Sequence, residues 1–310
     1  MSLKLEKILF PTDFTNESLA GLSVAGEMAV HHGAELHLVH GRVLHQIDKE
    51  NEVAHRFEAN MALVHERLES WFGEDSPAVI AREIRGVSAA DVVMDYGKMI
   101  GVDLIVMSTH GRRGLSRFFL GSVAEEVLRR SSIPVLTVRA SDEGPTPKGF
   151  RKILAPVDFS KESVNALNTA KVLAGLYNAE IYVVHVVEQG VVPSIYAMDR
   201  HPIEHLLPDL KAKSEAGIED LLREARLVSA AVRVLDGVVV NEIDKLVEQE
   251  GIDLVIQATH GLTGLTRKII GSVAEEAVRR LTCPVLTIRG HELLEELEAG
   301  ADTRSAPNPY

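Results

Sequence analysis

Along the chain, short apolar runs alternate with longer stretches in which apolar residues recur every three or four positions. Runs at Lys7–Phe10, Glu35–His40, Val79–Ile84, Leu104–Ser108 and Val135–Val138 predict strands. The periodic stretches Glu17–His32, Asn51–Trp71, Ala89–Ile100 and Ser122–Arg130 predict helices. The alternation then resumes with strands at Lys152–Ala155, Glu180–Val187, Val232–Leu235, Leu254–Ala258 and Val285–Ile288, again with helices between. Runs such as Asp103-Leu104-Ile105-Val106-Met107 do not alternate polar with apolar, as a strand covered on both faces requires. Each half therefore predicts an α/β unit, a five-stranded parallel sheet with helices on both faces.

The chain also repeats itself. Lys7-Ile8-Leu9-Phe10-Pro11-Thr12-Asp13-Phe14-Thr15 returns as Lys152-Ile153-Leu154-Ala155-Pro156-Val157-Asp158-Phe159-Ser160, and Gly101–Arg139 agrees with Gly251–Arg289 at more than half of its positions. This is a duplicated domain, not a short-period solenoid. The Pro- and Gly-rich stretch 141–149 reads as a linker between a first domain, 1–140, and a second, 150–290. Residues 291–310 form an acidic tail.

Composition narrows the function. A chain of 310 residues is long enough for two cored domains, and its net charge of −12 argues against a nucleic-acid or anionic-membrane binder working through a broad basic surface. No apolar run is long enough to span a bilayer, and the single Cys283 cannot form an internal disulfide. A cytoplasmic location is the expectation.

The chemistry is expected at the carboxyl edge of each sheet, where open α/β sheets bind ligands near the reversal of strand order. Asp13 and Asp158 follow the first strand, and Thr15 and Ser160 are placed to cap the next helix. After the fourth strand come Ser108-Thr109-His110-Gly111-Arg112-Arg113-Gly114 and Ala258-Thr259-His260-Gly261-Leu262-Thr263-Gly264. These lead to Gly121-Ser122-Val123 and Gly271-Ser272-Val273 at the start of a helix. A glycine and a hydroxyl at a helix amino terminus present unpaired N–H groups and the positive dipole end to one point, which favours an anion such as phosphate.

These residues resemble the universal stress protein family, specifically its tandem members, from about residue 5 to 139 and 150 to 289. Its nucleotide-binding branch carries G-x2-G-x9-G-(S/T). Gly111-x9-Gly121-Ser122 and Gly261-x9-Gly271-Ser272 match the last three fixed positions, while Ser108 and Ala258 stand in place of the first glycine. The resemblance implies two tandem flavodoxin-like, adenine-nucleotide α-hydrolase-like domains that bind ATP, with Mg²⁺ as an accompanying ion. It implies that Asp13 or Asp158 contacts the adenosine. Gly41 or Val186, following the His that ends strand two, would hold adenine through its backbone, with Gly41 departing from the usual apolar residue. The implied site is Pro11, Thr12, Asp13, Gly41, Ser108, His110, Gly111, Arg112, Gly114, Gly121, Ser122 and Val123. Its counterpart is Pro156, Val157, Asp158, Val186, Ala258, His260, Gly261, Gly264, Gly271, Ser272 and Val273. In the family the last strand pairs across a dimer, so a tandem chain can pair its two halves internally, with further homodimerisation left open.

No residue set is arranged for fast turnover, so the reading is a nucleotide-dependent regulator of stress survival with at most slow hydrolysis and a protein partner still unknown. Two alternatives stay open. One is a nucleotide-free scaffold; the other is an ATP-using enzyme of the α-hydrolase-like group, although the Gly-rich loop such enzymes place after strand one is missing. The histidines of the first half, His31, His32, His37, His40, His45, His55 and His65, show no recurring metal-ligand spacing, and Cys283, before Pro284, reads as a packed position.

Overall fold

The computed structural model describes residues 5–43, 50–109, 120–139, 149–188, 206–259 and 270–289. The chain divides into two compact units, Ser2–Gly149 and Phe150–Tyr310. The first runs β1 (Lys7–Pro11), a 3₁₀ turn (Ser18–Gly21), α1 (Leu22–His32), β2 (Glu35–Val43), α2 (Glu50–Phe72), β3 (Val79–Gly86), α3 (Ala89–Ile100), β4 (Leu104–Ser108), α4 (Ser122–Arg130) and β5 (Val135–Val138). The second runs β6 (Lys152–Pro156), α5 (Lys161–Tyr177), β7 (Glu180–Val187), α6 (Leu206–Glu224), β8 (Ala231–Asp236), α7 (Val239–Glu250), β9 (Leu254–Ala258), α8 (Ser272–Arg280) and β10 (Val285–Ile288).

Within the first unit the strand order is β3-β2-β1-β4-β5, and every pair is parallel. The second unit repeats it as β8-β7-β6-β9-β10. In each, the chain leaves the central strand in one direction and returns on its other side, so the order reverses between β1 and β4, and between β6 and β9. In open α/β sheets such a reversal is where a ligand crevice forms at the carboxyl edge. The central strands are buried on both faces: Ile8, Leu9, Phe10 and Ile105 in one unit, and Ile153, Leu154, Val255 and Ile256 in the other, are inaccessible to solvent.

The opposite edge is fixed by a clamp that occurs twice. The Asp103 carboxylate accepts the backbone N–H groups of Glu6 and Lys7 at 2.7 and 2.8 Å, and Lys7 Nζ donates to the Ile100 carbonyl at 2.8 Å. Asp253 accepts from Arg151 and Lys152 at 2.8 and 3.1 Å, and Lys152 Nζ donates to the Glu250 carbonyl at 2.7 Å. The entry to each central strand is thereby tied to the end of the helix that precedes β4 or β9, which sets the relative height of the two strands bordering the crevice.

Two expectations are corrected. In the first unit strand two does not end at its histidine, because β2 runs on to Val43 and is paired with β3 along that extension, whereas β7 ends at Val187 as expected. The helix expected over Glu17–His32 is broken into the 3₁₀ turn and α1, whereas α5 is continuous over the equivalent stretch.

Candidate functional site

At the carboxyl end of β1 the chain turns sharply around Asp13. Its Oδ1 accepts the Thr15 N–H at 3.1 Å and the Thr15 hydroxyl at 2.6 Å, and Thr15 Oγ1 accepts the Ser18 N–H at 3.2 Å. The second unit builds the same turn: Asp158 Oδ1 accepts Ser160 N–H at 3.1 Å and its hydroxyl at 2.6 Å, while Ser160 Oγ accepts Ser163 N–H at 3.2 Å. Thr15 and Ser160 thus satisfy the helix start while orienting an aspartate, since one hydroxyl both accepts and donates.

Between aspartate and cap stands a phenylalanine in the left-handed region, Phe14 at φ 62° and Phe159 at φ 64°. A bulky residue holds that conformation only where its surroundings compensate a cost of about 1–3 kcal/mol. The compensation is aromatic. Phe14 lies 5.3 Å from the His40 ring and 5.7 Å from Phe57, and Phe159 lies 4.3 Å from His185. Each histidine in turn donates its Nδ1–H to the carbonyl before the aspartate, His40 to Thr12 at 2.8 Å and His185 to Val157 at 2.9 Å. A carbonyl can only accept, so the Nδ1 proton is assigned. Sequence reasoning used these histidines as markers of strand two and missed their part in the site. Their recurrence at equivalent places in both repeats was the available signal. Beside Phe159 lies an open cleft of about 240 Å³ bordered by Leu210, Lys213, Ser214 and Gly217.

At the end of β4, Thr109 N–H donates to the Val138 carbonyl at 3.0 Å, and Gly121 N–H donates to the Thr109 carbonyl at 2.7 Å. Thr259 and Gly271 repeat both bonds, at 2.9 and 2.7 Å. The long loop therefore opens and closes at one point, and α4 and α8 begin there with Gly121 and Gly271 as extended caps. A Cβ on Gly271 would stand 3.1 Å from the Thr259 carbonyl oxygen. That glycine thus has a structural reason to be glycine before any ligand is considered. Ser122 and Ser272, next in sequence, are exposed at the helix amino termini. His110, Gly111, Arg112 and Gly114, with His260, Gly261 and Gly264, lie outside the described residues.

The two departures from the family pattern acquire physical explanations. Ser108 donates its hydroxyl to the Ser18 carbonyl at 2.8 Å and accepts the Gly21 N–H at 3.0 Å. This intrusion into the backbone ladder is what turns the helix start into a 3₁₀ turn. It needs Gly21, whose Cβ would sit 3.3 Å from Ser108 Oγ and 3.2 Å from the Phe10 ring. The second unit has Ala258 and the fully buried Ala166 at the corresponding positions, and its helix is regular. Gly41 is equally constrained, because a Cβ there would meet Ala89 Cα at 3.2 Å where α3 begins. Its counterpart Val186 is a buried side chain at 7 % exposure.

The described residues thus bring Pro11, Thr12 and Asp13 beside Ser108 and the start of α4 at Gly121-Ser122-Val123, because β1 and β4 are parallel neighbours. Gly41 follows on β2, next to β1 on its other side. The second unit places Pro156, Val157 and Asp158 beside Ala258 and Gly271-Ser272-Val273, with Val186 on the flanking strand.

The family model described as "Universal stress protein family" matches residues 4–139 and 149–289. Universal stress protein MJ0531 of Methanocaldococcus jannaschii is 32% identical over 142 residues, which cover 45% of this chain and 82% of that protein. Among solved structures, a functionally unknown protein PA1789 from Pseudomonas aeruginosa PAO1 superposes with a TM-score of 0.68 at 18% identity. That match covers 97% of this chain and 98% of the other. A universal stress protein from Archaeoglobus fulgidus gives 0.67 at 20% identity, covering 93% and 97%. At these identities the structural matches speak for the fold.

Proposed function

Because the chain belongs to the universal stress protein family, represented twice along its length, we propose that each unit binds one ATP in the crevice at its carboxyl edge. Occupancy then regulates stress survival by favouring a conformation that a protein partner reads. The observation that carries this reading is the point where Gly121 and Gly271 close their loops. There an exposed serine opens a helix whose first N–H groups suit an anion, and the neighbouring parallel strand leads into an oriented aspartate, which supports an anion site and a hydroxyl-binding carboxylate in one crevice.

In this reading the aspartates take the ribose hydroxyls, and the backbones of Gly41 and Val186 flank the adenine. Pro11, Thr12, Pro156 and Val157 form the floor beside them. Ser108 and Ala258 border the crevice from β4 and β9. The phosphates lie over Gly121-Ser122-Val123 and Gly271-Ser272-Val273, and His110, Gly111, Arg112 and Gly114, with His260, Gly261 and Gly264, are the further residues assigned to holding them. Mg²⁺, where present, is held chiefly by phosphate oxygens and water. Among the described residues no group is placed as an efficient general base, and in this reading hydrolysis is slow and the product of binding is a shifted population of conformers. The expected setting is the cytoplasm; among the described residues no helix is long and apolar enough to cross a membrane.

The deciding experiment purifies the chain without added nucleotide, denatures it and quantifies released adenine nucleotides by chromatography with mass detection, followed by titration with Mg·ATP. Two ATP per chain are expected, with Gly121→Val and Gly271→Val each removing one. The steric demand at Gly271 requires that both variants first be shown to melt as folded proteins. No bound nucleotide and no binding at millimolar Mg·ATP would leave the scaffold reading, whereas rapid release of AMP and pyrophosphate would make the chain an enzyme.

A further inference from the structure

The two crevices are duplicates in sequence, yet the hydrogen bonds around their aspartates run differently. In the second unit Ser163 Oγ accepts the Asp158 N–H at 3.1 Å and donates to Asp158 Oδ1 at 2.7 Å, adding a buried hydroxyl to those that orient the carboxylate. In the first unit the matching hydroxyl goes elsewhere. Phe14 N–H donates to Thr12 Oγ1 at 2.9 Å, Thr12 Oγ1 lies 2.9 Å from Ser18 Oγ, and Ser18 Oγ donates to the Thr15 carbonyl at 3.0 Å. Since Ser18 spends its one proton on that carbonyl, Thr12 must be the donor in the pair between them.

Beside the Ser108 hydroxyl that holds the Ser18 carbonyl, one residue in contact with the serine separates the two arrangements. Thr12 is 6 % exposed and supplies the hydroxyl that engages Ser18. Val157, at the same place in the repeat and 5 % exposed, has none, so Ser163 turns to the aspartate. Both side chains are buried, so the difference reaches the crevice through the serine and through the Phe14 N–H that Thr12 accepts.

We propose that the two units bind ATP unequally, the second more tightly, because Ser163 fixes the Asp158 carboxylate before the nucleotide arrives while Ser18 does not serve Asp13. Thr12 and Val157 are the positioning residues that set this difference. The inference rests on the nucleotide reading above and specifies its two sites. A side chain already ordered loses less freedom on binding, which corresponds to roughly 3- to 10-fold in affinity.

The test is calorimetric titration of the full chain with Mg·ATP. Asp13→Ala isolates the second site and Asp158→Ala isolates the first, and each protein is first checked by a thermal melt. The second site is expected to bind roughly 3- to 10-fold more tightly. Ser163→Ala and, separately, Val157→Thr weaken the second site by about that factor. Ser18→Ala leaves the first site unchanged, and Thr12→Val strengthens it by releasing Ser18 toward Asp13. Equal affinities in the two isolated sites overturn the proposal, as do equal effects of Ser163→Ala and Ser18→Ala. Undiminished binding in the Asp13→Ala, Asp158→Ala double variant, or none in the unaltered chain, overturns the nucleotide site itself and the inequality with it.

Discussion

Cys283 shows how an environment sets chemistry at the scale of one residue. It is 8 % exposed, and burial pushes its thiol from an ordinary 9.0 up to about 12. The folded chain therefore holds that proton more firmly than the unfolded chain does, so this group leaves stability unaffected below pH 9 and lowers it as the pH climbs from there toward 12. At pH 8 an aromatic disulfide reagent is expected to titrate no thiol in the native protein and one per chain in denaturant; rapid native labelling would show that the packing is wrong. Its place before Pro284 already suggested a packed position in the sequence. Ser108 was legible only as a small residue where a glycine was expected. That its hydroxyl would enter the neighbouring helix depends on Gly21, a residue 87 positions away in the chain, and no local pattern links the two. The histidine bonds to Thr12 and Val157 were hidden for the same reason, since they join separate strands.

Elements were more legible than their edges. The strands Leu104–Ser108 and Val135–Val138, and the helices Ala89–Ile100 and Ser122–Arg130, stand where apolar periodicity puts them. β2 and β8 run past their apolar stretches because strand pairing, not burial, carries the extra residues. What periodicity does not reveal is how elements are pinned to one another, and the Asp103 and Asp253 clamps are the clearest case. Asp103→Ala leaves two backbone donors at the entrance to β1 without their carboxylate. It should lower the stability of the first unit by about 1–3 kcal/mol. Asp253→Ala should do the same to the second. Urea unfolding followed by hydrogen exchange would locate each loss, and exchange that rises equally in both units would contradict a clamp that acts within one.

For the whole molecule, the repeat was plain in the sequence because the duplicated blocks keep their order and spacing. Both units duly show the same five-strand order. The duplication was less plain in what it had ceased to share. Gly21 with Ser108, and Ala166 with Ala258, are two solutions to one volume, the first dividing it between no side chain and a hydroxyl, the second between two methyls. Each partner suits only its own companion. Ala258→Ser brings a hydroxyl toward a regular helix with no gap in its ladder and a methyl already in place. It is expected to cost about 1–3 kcal/mol. Adding Ala166→Gly should recover part of that in a denaturation experiment, and a neutral Ala258→Ser would show that the pairing is not obligatory. Repeats invite exchange of sequence where they agree best, and here that is the shared block beginning at Gly101 and Gly251. A copied tract that carried Ser108 into the second half without Gly21 would produce a mismatched core, whereas one starting beyond it would not. The packing thus draws a boundary for such exchange inside the most similar part of the chain: sequence beyond Ser108 and Ala258 can pass between the halves while their helix starts stay distinct.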